Sequence, residues 1–290
     1  MSLALSSPRF WAEIVKLYGL VQTDGSLHYI APDQKFKMLP LVRNTTTTFT
    51  SFLKSDARAK GCKVIINGNQ YSFSLGGYVA AVLGHIDDPD QTEIEGQVVE
   101  GGKVIAGDSR PLSFWFGQMR FPRKDAWAWT YSAGQGDPPA GAATLAAIGG
   151  LGPMIVGSLP YGRENAYKMG AAPTVSEPTT GEPPPEARPY MIQRSNKMFA
   201  SANSKVPETG KTLVAYCSAK RTLLIIVQQH GASPGTTFAA IATTLAKQGF
   251  DSAVFMDGSD SATLMVDGAL VIAPGARKDE TIDVGVGFSA

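Results

Sequence analysis

The sequence predicts an α+β fold in which twisted, mixed β-sheets are covered by a few helices. Glycine (31 residues) and proline (19 residues) are plentiful, which favours a protein of strands and loops over a helical bundle. Short apolar runs bounded by polar turns predict buried strands, as in residues 62–66, which end in the turn 67–70. Residues 238–248 carry apolar side chains at helical spacing and are followed by Gly249, so they predict a covering helix.

The order of elements predicts an N-terminal extension over 1–44, with a helix over 8–20, followed by a main domain over 45–290. A second helix is expected over 48–60, where Gly61 ends it. Residues 171–189 are rich in Pro, Thr, Glu and Gly and predict a long exposed loop, either a linker or a lid. Further strands are predicted near 78–83, 95–99, 103–106, 112–117, 212–216, 223–228, 253–256, 262–266 and 283–288.

Composition excludes several classes of function. The 290 residues carry a formal net charge of +1, whereas a general nucleic-acid binder has a basic excess. No apolar run is long enough to cross a bilayer, and the N-terminus lacks the pattern of a secretory signal. The two cysteines, Cys62 and Cys217, are too few for a disulfide scaffold and predict buried free thiols. The compartment and the oligomeric state stay open.

The run 253–268 is the strongest candidate for a functional site. It predicts a buried strand, a tight polar turn with two carboxylates and two hydroxyls, and a second strand. Asp257 and Asp260 lie three residues apart, a pattern that suits acid/base chemistry or a divalent cation. Small residues in such a turn let backbone N–H groups approach an anionic ligand. The alternative is a β-turn whose Asp and Ser side chains bond only their own backbone.

Two other stretches invite a functional interpretation. Trp127, Trp129 and Tyr131 precede a Gly/Pro-rich segment, and such a cluster suits either stacking on a sugar ring or packing in the core. Core packing is the commoner use of aromatic residues, and we favour it here. The glycines of 146–156 do not form a dinucleotide fingerprint, because their spacing differs and Pro153 blocks a continuing helix.

The order of motifs in 210–290 resembles the phosphodiester glycosidase family. That family has a strand, the turn Asp-Gly-Gly-Gly-Ser-(Ser/Ala)-Thr, and a second strand with a Gly turn. Here the turn is Asp257-Gly258-Ser259-Asp260-Ser261-Ala262-Thr263, and Asp267-Gly268 follows. Pro234-Gly235 and the helix 238–248 match the segment that precedes the turn in the family.

The resemblance continues upstream, more loosely. Lys211-Thr212 occupies the place of an Arg-Thr pair at the start of a strand, and His230-Gly231 that of an Asp-Gly pair. Asn67-Gly68 corresponds to a strand that ends in Asn-(Gly/Ala)-Gly. The match is collinear over 45–160 and absent before that.

The resemblance implies hydrolysis of a sugar α-linked to phosphate, or of a related surface glycan. The phosphate leaving group is a weak base, so the reaction needs less general-acid help than other glycosides. Asp257 would be the main catalytic or sugar-orienting carboxylate. The implied catalytic residues are Asp257, Asp260 and His230, and the implied substrate-binding residues are Asn67, Gly68, Lys211, Thr212, Gly258 and Ser261.

Several residues depart from the family pattern. Ser259 and Asp260 replace glycines, Lys211 replaces an arginine that grips phosphate bidentately, and His230 replaces an aspartate. Three functions therefore stay open: a glycosidase, which we favour, a catalytically altered carbohydrate-binding or structural protein of a virion or cell surface, and a metal-dependent phosphoesterase using Asp257 and Asp260. Asn67 also suits a turn former, Lys211 a solvated hairpin lysine, and His230 a partner of a loop carbonyl.

Overall fold

The computed structural model describes residues 22–24, 27–32, 35–73, 92–122, 127–161, 191–194, 197–200 and 206–290. The predicted helix over 8–20, the strand near 78–83 and the loop over 171–189 lie outside the described residues. Within the described part, no helix is both long and apolar enough to span a membrane.

Two large antiparallel sheets dominate the described structure. The strands of the larger sheet are β1 (Gln22–Asp24), β2 (Leu27–Ile30), β7 (Val98–Glu100), β8 (Lys103–Ala106), β9 (Phe114–Pro122), β10 (Trp127–Gln135), β11 (Thr144–Val156), β12 (Leu159–Pro160), β15 (Lys211–Cys217), β16 (Thr222–Gln228) and β17 (Ser252–Phe255). The smaller sheet contains β3 (Lys37–Val42), β4 (Cys62–Asn67), β18 (Leu264–Val266), β19 (Ala269–Ile272) and β20 (Val284–Ser289). Two separate hairpins pair β5 (Gln70–Phe73) with β6 (Thr92–Glu95) and β13 (Met191–Arg194) with β14 (Lys197–Ala200).

The sheets differ from the prediction in one respect, because every strand pair in the described part is antiparallel rather than mixed. A tight turn can join only antiparallel neighbours, which explains the hairpins among these pairs. The hairpin β15–β16 shows it most clearly, with Lys211 opposite Gln228 and Cys217 opposite Thr222. The predicted strand over 95–99 is broken into β6 and β7 at Gly96, whose φ is +105°.

Four short helices lie beside the sheets in the described residues. They are α1 (Phe49–Ser55), α2 (Ala57–Lys60), α3 (Phe238–Lys247) and α4 (Ala276–Asp279). The single helix predicted over 48–60 is wrong in one respect, because Asp56 is extended and divides it. The Asp56 side chain accepts hydrogen bonds from the N–H groups of Arg58 and Ala59, which caps α2 and competes with a continuous helix. The helix predicted over 238–248 is confirmed, and Gly249 follows it with a φ of +85°.

The core is layered, with the two sheets packed face to face and a helix on the outer side of each. Alternate residues of β4 divide between layers: Val64 and Ile66 face the larger sheet, while Ile65 packs with Phe49 of α1. On β15, Leu213 packs in the same way with Phe238 of α3. Strands buried on both faces explain the continuous apolar runs from which the sequence predicted them.

Residues before the predicted domain boundary at 44 take part in both sheets. Strand β2 pairs with β16 in the larger sheet, and β3 pairs with β20 in the smaller one. The boundary therefore does not separate these two strands from the sheets that they complete.

Candidate functional site

The candidate site lies where the two sheets meet, at the ends of β4, β15 and β17. Asn67 ends β4 and is fully buried. Its amide nitrogen donates to the backbone carbonyl of Asp257 (2.7 Å), and its amide oxygen accepts from the Thr212 hydroxyl (2.7 Å) and the Thr263 N–H (3.0 Å). Asn67 thereby links the smaller sheet to the larger sheet and to both ends of the Asp257–Thr263 turn.

The turn itself begins at Asp257, and Met256 separates it from the end of β17. The Asp257 N–H donates to the carbonyl of Gly68 (3.1 Å), so the chain after Asn67 also holds the turn. The Asp257 carboxylate is half-buried and accepts from the N–H of Gly258 (3.0 Å). Asn67 and Gly68 therefore both contact the backbone of Asp257, and their role in binding substrate stays a prediction.

Ser261 is fully buried in the turn. It ends a short 3-10 helix, Ser259–Ser261, and its carbonyl accepts from the Thr263 hydroxyl (2.9 Å). Its own hydroxyl has no hydrogen-bond partner among the residues that the structure describes. Leaving a buried polar group unsatisfied costs about 1–3 kcal/mol, and a bound ligand can remove that cost. The Ser261 hydroxyl is thus a buried polar group of the turn without a partner in the described part, and its role in binding a substrate stays a prediction.

The two residues that replace glycines have different local consequences. Ser259 has a φ of +57°, the left-handed region in which a glycine is unstrained. Asp260 is half-buried, and its carbonyl accepts from the N–H of Gly275 (2.7 Å). Among the described residues, no group of three or more His, Cys, Asp or Glu side chains is arranged to hold a metal ion. A cation between Asp257 and Asp260 stays a prediction.

Lys211 is placed differently from its predicted role as a phosphate contact. Its side chain is fully buried, and its amine donates to the carbonyls of Thr209 (2.6 Å), Pro207 (2.9 Å) and Val206 (3.4 Å). An ammonium has three donors, so these carbonyls occupy all of them. Burial lowers the pKa of Lys211 to about 8, and the negative charge of Glu208 opposes that shift. The amine closes the loop 206–209 instead of facing the turn.

His230 borders the turn through one intervening residue. This exposed side chain accepts at Nδ1 from the N–H of Gly210 (3.3 Å), while the carbonyl of Gly210 accepts from the N–H of Ser259 (2.8 Å). A Cβ on Gly210 would lie 1.9 Å from the Ser259 carbonyl oxygen, so this close approach requires glycine. His230 therefore lies at the edge of the site, next to Gly210, whereas the Lys211 amine contacts the loop 206–209.

Gln228 is a polar residue of this region that the sequence analysis missed. It faces Lys211 across the β15–β16 hairpin, and its amide donates to the carbonyls of Pro207 (2.6 Å) and Thr209 (2.9 Å). Its oxygen accepts from the N–H of Thr236 (3.0 Å). Gln228 and Lys211 together fix the loop that carries Gly210. The proximity of Lys211 and Gln228 follows from the register of the β15–β16 hairpin, which sets the two residues opposite each other.

Two buried ion pairs near Asn67 were also missed. The Arg43 guanidinium contacts the Asp283 carboxylate at 2.9 Å, and the residue after Asp283, Val284, accepts from the N–H of Gly68 (2.8 Å). Burial raises the pKa of Asp283, although hydrogen bonds from Thr92 and Arg43 oppose the shift.

The second ion pair lies beyond Asn69. The Arg110 guanidinium donates to the buried Glu95 carboxylate. The Asn69 amide donates to the carbonyls of Gly149 (2.7 Å) and Gly96 (3.1 Å), which ties the chain after Gly68 to the residue that follows Glu95. Removing one partner of a buried pair is strongly destabilising, so we assign both ion pairs to the support of the site.

By its fold and site, this chain is a protein of two packed antiparallel sheets with a polar turn at their junction. The family model for phosphodiester glycosidases matches residues 76–289, so the chain is a member of the phosphodiester glycosidase family, as its motifs predicted. A comparison with curated protein sequences gives no significant match.

The similarity to solved structures is at low sequence identity. The catalytic domain of zebrafish N-acetylglucosamine-1-phosphodiester alpha-N-acetylglucosaminidase, auto-inhibited by its pro-peptide, matches with a TM-score of 0.52 and 14% identity, covering 91% of this chain and 76% of that one. A putative exported protein from Burkholderia pseudomallei matches with a TM-score of 0.48 and 14% identity, covering 91% and 74%. A hypothetical protein from Synechocystis matches with a TM-score of 0.41 and 13% identity, covering 93% and 61%.

Proposed function

We propose that this protein is a glycoside hydrolase that cleaves a sugar α-linked to phosphate, with Asp257 as its principal carboxylate. The observation that carries the proposal is the Asn67 network, which joins both sheets to the turn of Asp257. A catalytic carboxylate must be held in a fixed position relative to its substrate, and buried, fully bonded supports achieve this. Membership of the family supports the class of bond that is cleaved.

The proposed chemistry uses the carboxylates of the turn. Water attacks the anomeric carbon, the bond from that carbon to the phosphate oxygen breaks, and a phosphomonoester leaves with the bonding electrons. Asp257 serves as the base that takes the proton of the attacking water, and Asp260 supplies the second carboxyl group that glycoside cleavage normally uses. In the alternative order the Asp257 carboxylate displaces the phosphate from the anomeric carbon, and water then hydrolyses the resulting glycosyl ester. His230, exposed beside Gly210, serves as a further acid–base group, and the Ser261 hydroxyl binds the phosphate or a sugar hydroxyl.

A second candidate is a carbohydrate-binding protein without catalysis. The observation that favours it is the occupancy of the groups expected to cradle phosphate. The N–H of Gly258 is bonded to the Asp257 carboxylate, the N–H of Ser259 to Gly210, and the Lys211 amine to loop carbonyls. A site of this kind has fewer donors for the phosphate group of a phosphodiester than the family pattern implies.

Turnover of a sugar phosphodiester tests the two candidates. The purified protein is incubated with uridine diphosphate N-acetylglucosamine or with an aryl phosphodiester of N-acetylglucosamine, and released sugar is followed by NMR. We expect turnover in the wild type and a loss of at least ~100-fold in Asp257→Asn, the scale of one acid–base group. Asp267→Asn is the matched control, because Asp267 is an exposed carboxylate in the next turn.

The outcomes separate the proposals. Equal rates in Asp257→Asn and wild type would overturn the role of Asp257. Absence of turnover, with glycan binding retained in both proteins, would favour the carbohydrate-binding candidate. If a chelator abolishes turnover and a divalent cation restores it, Asp257 and Asp260 hold a metal, as in the phosphoesterase alternative. Absence of both turnover and binding would reject both main candidates.

A further inference from the structure

A shallow surface depression, called the cleft below, lies on the larger sheet, away from the Asp257 turn. It is lined by Trp129, Thr130, Tyr131, Tyr216 and Arg221. Tyr216 follows Thr212 by four residues on β15, which places the cleft about 13 Å along the strand from the site end.

The floor of the cleft is rigid. Tyr131 stacks on Phe116 with ring centroids 5.5 Å apart, and it packs against Tyr216 at 5.6 Å. Its hydroxyl donates to the carbonyl of Phe36 (3.3 Å), and the hydroxyl of Thr130 donates to that of Tyr216 (3.4 Å). The predicted core role therefore describes Tyr131, which is buried, whereas Trp129 on the same strand is half-exposed.

Two cations lie beside the half-exposed indole of Trp129. The Lys37 ammonium lies 6.0 Å from the Trp129 ring centroid, and the Arg120 guanidinium lies 5.7 Å from it. Arg221, at the tip of the β15–β16 hairpin, adds a third positive charge to the cleft. The strands that build the cleft, β3, β9, β10, β15 and β16, contain no Asp or Glu. The carboxylate of Asp251, just before β17, is bonded by Ser218 of the hairpin turn.

The backbone of Arg221 is a second sign of function. Its φ is +50°, a left-handed conformation that Gly or Asn adopts at lower cost. Residues in such conformations cluster at ligand and active sites, so the outlier directs attention to the Arg221 side chain. Arginine offers a planar fork for carboxylate or phosphate oxygens, and the side chain is exposed at the cleft.

We propose that the cleft formed by Trp129, Thr130, Tyr216 and Arg221 is a second glycan-binding subsite that takes an anionic sugar unit. The indole supplies an apolar face for the sugar ring, the two hydroxyls supply hydrogen bonds, and the cations bind its carboxylate or phosphate. The subsite goes beyond the proposed hydrolysis and does not depend on it. A glycan of several units would reach both the Asp257 turn and this cleft.

Affinity electrophoresis of the full chain in gels that contain dextran, carboxymethyl-dextran or phosphorylated dextran tests the subsite. The three polymers share one backbone, so the last two distinguish the sources of the negative charge. We expect at least one charged dextran to bind the wild type and neutral dextran to bind it more weakly. Arg221→Asn, which suits the backbone and removes the charge, should weaken that binding about tenfold, the scale of one charge-assisted hydrogen bond.

Matched variants make the result decisive. Trp129→Phe should weaken binding less than Arg221→Asn, and thermal unfolding checks that both variants are folded. Lys54→Gln, which removes an exposed charge on α1, and Asp267→Asn, which removes an exposed charge in the turn after β18, should bind as the wild type does. No binding of the wild type to either charged dextran, unchanged binding in Arg221→Asn, or equal weakening in Lys54→Gln would each overturn the subsite.

Discussion

Asn67 and Lys211 are both fully buried polar side chains at strand ends, yet they serve different parts of the molecule. Asn67 bonds the backbone of Asp257, the hydroxyl of Thr212 and the backbone of Thr263. Lys211 bonds only carbonyls of the loop just before it in the chain. The first side chain joins two sheets and a turn, whereas the second closes one loop.

The difference shows why burial alone does not identify a ligand contact. The three donors of the Lys211 amine all have carbonyl partners, so none is left for a substrate, whereas Asn67 uses its amide oxygen and one amide N–H to hold the turn. Asn67 matters to the site because its partners carry the candidate catalytic carboxylate. Lys211 matters through Gly210, the residue that follows its loop and touches Ser259.

The largest loss of stability is expected when the Asn67 side chain is removed. Asn67→Ala leaves the Thr212 hydroxyl, the Thr263 N–H and the Asp257 carbonyl without their partner in a buried place. We expect a loss of about 4 kcal/mol in the free energy of unfolding, measured by chemical denaturation. Lys63→Ala on the same strand is the control, because its ion pair with Asp267 is exposed and contributes at most about 1 kcal/mol. Equal losses in the two variants would contradict the role of Asn67.

Lys211 predicts a pH dependence of stability. Its pKa is about 8 in the folded protein and 10.5 as the reference for the unfolded chain. Between these values the unfolded state binds more protons, so stability rises with pH from about 8 to 10.5. Below pH 8 the amine is charged in both states, and its burial costs about 3 kcal/mol at most.

Lys211→Met isolates that dependence. Buried Tyr131, Tyr161 and Cys62 have raised pKa values and act in the opposite direction at high pH, in wild type and variant alike. The difference in unfolding free energy between the two proteins should therefore change in favour of the wild type as pH rises from 8 to 10.5. A constant difference across this range would show that the amine is not desolvated as described.

The sequence predicted the elements whose residues are buried on a regular pattern. The helix α3 and the strands β15 and β16 lie within one residue of their predicted bounds, because their apolar periodicity arises from the burial itself. The motif order also located the turn of Asp257 and its neighbour Asn67. These predictions depend on short segments and on their order along the chain.

The orientation of Lys211 and the ion pairs could not be predicted in the same way. Whether an amine faces a ligand or a loop depends on where 206–209 lies, and no local pattern fixes that position. The ion pairs Arg43–Asp283 and Glu95–Arg110 join strands or loops whose pairing emerges only from the folded sheets. Periodicity identifies faces of an element, whereas these contacts depend on tertiary register.

The contact between Gly210 and Ser259 predicts a smaller effect on stability when Gly210 is replaced. In Gly210→Ala the new Cβ would lie 1.9 Å from the Ser259 carbonyl, so one of the loops must move. We expect a loss of about 2 kcal/mol in stability, the scale of overpacking in a closed structure. The matched variant Gly231→Ala has open space around its Cβ, although its φ of +76° adds strain of about 1 kcal/mol. A smaller loss in Gly210→Ala than in Gly231→Ala would contradict the close approach.

The smallest expected effect is at Ser259, where the family pattern has glycine. Ser259→Gly relieves the strain of a φ of +57° but adds chain entropy to the unfolded state, so we expect a gain of only about 0.5 kcal/mol in stability. Ser259→Ala keeps the strain and removes the hydroxyl, which separates the two contributions in the same denaturation assay. If Ser259→Ala and Ser259→Gly have the same stability, backbone strain is not what distinguishes this turn. If Ser259→Gly also raises turnover of the sugar phosphodiester, the serine restrains the turn that Asn67 holds in place.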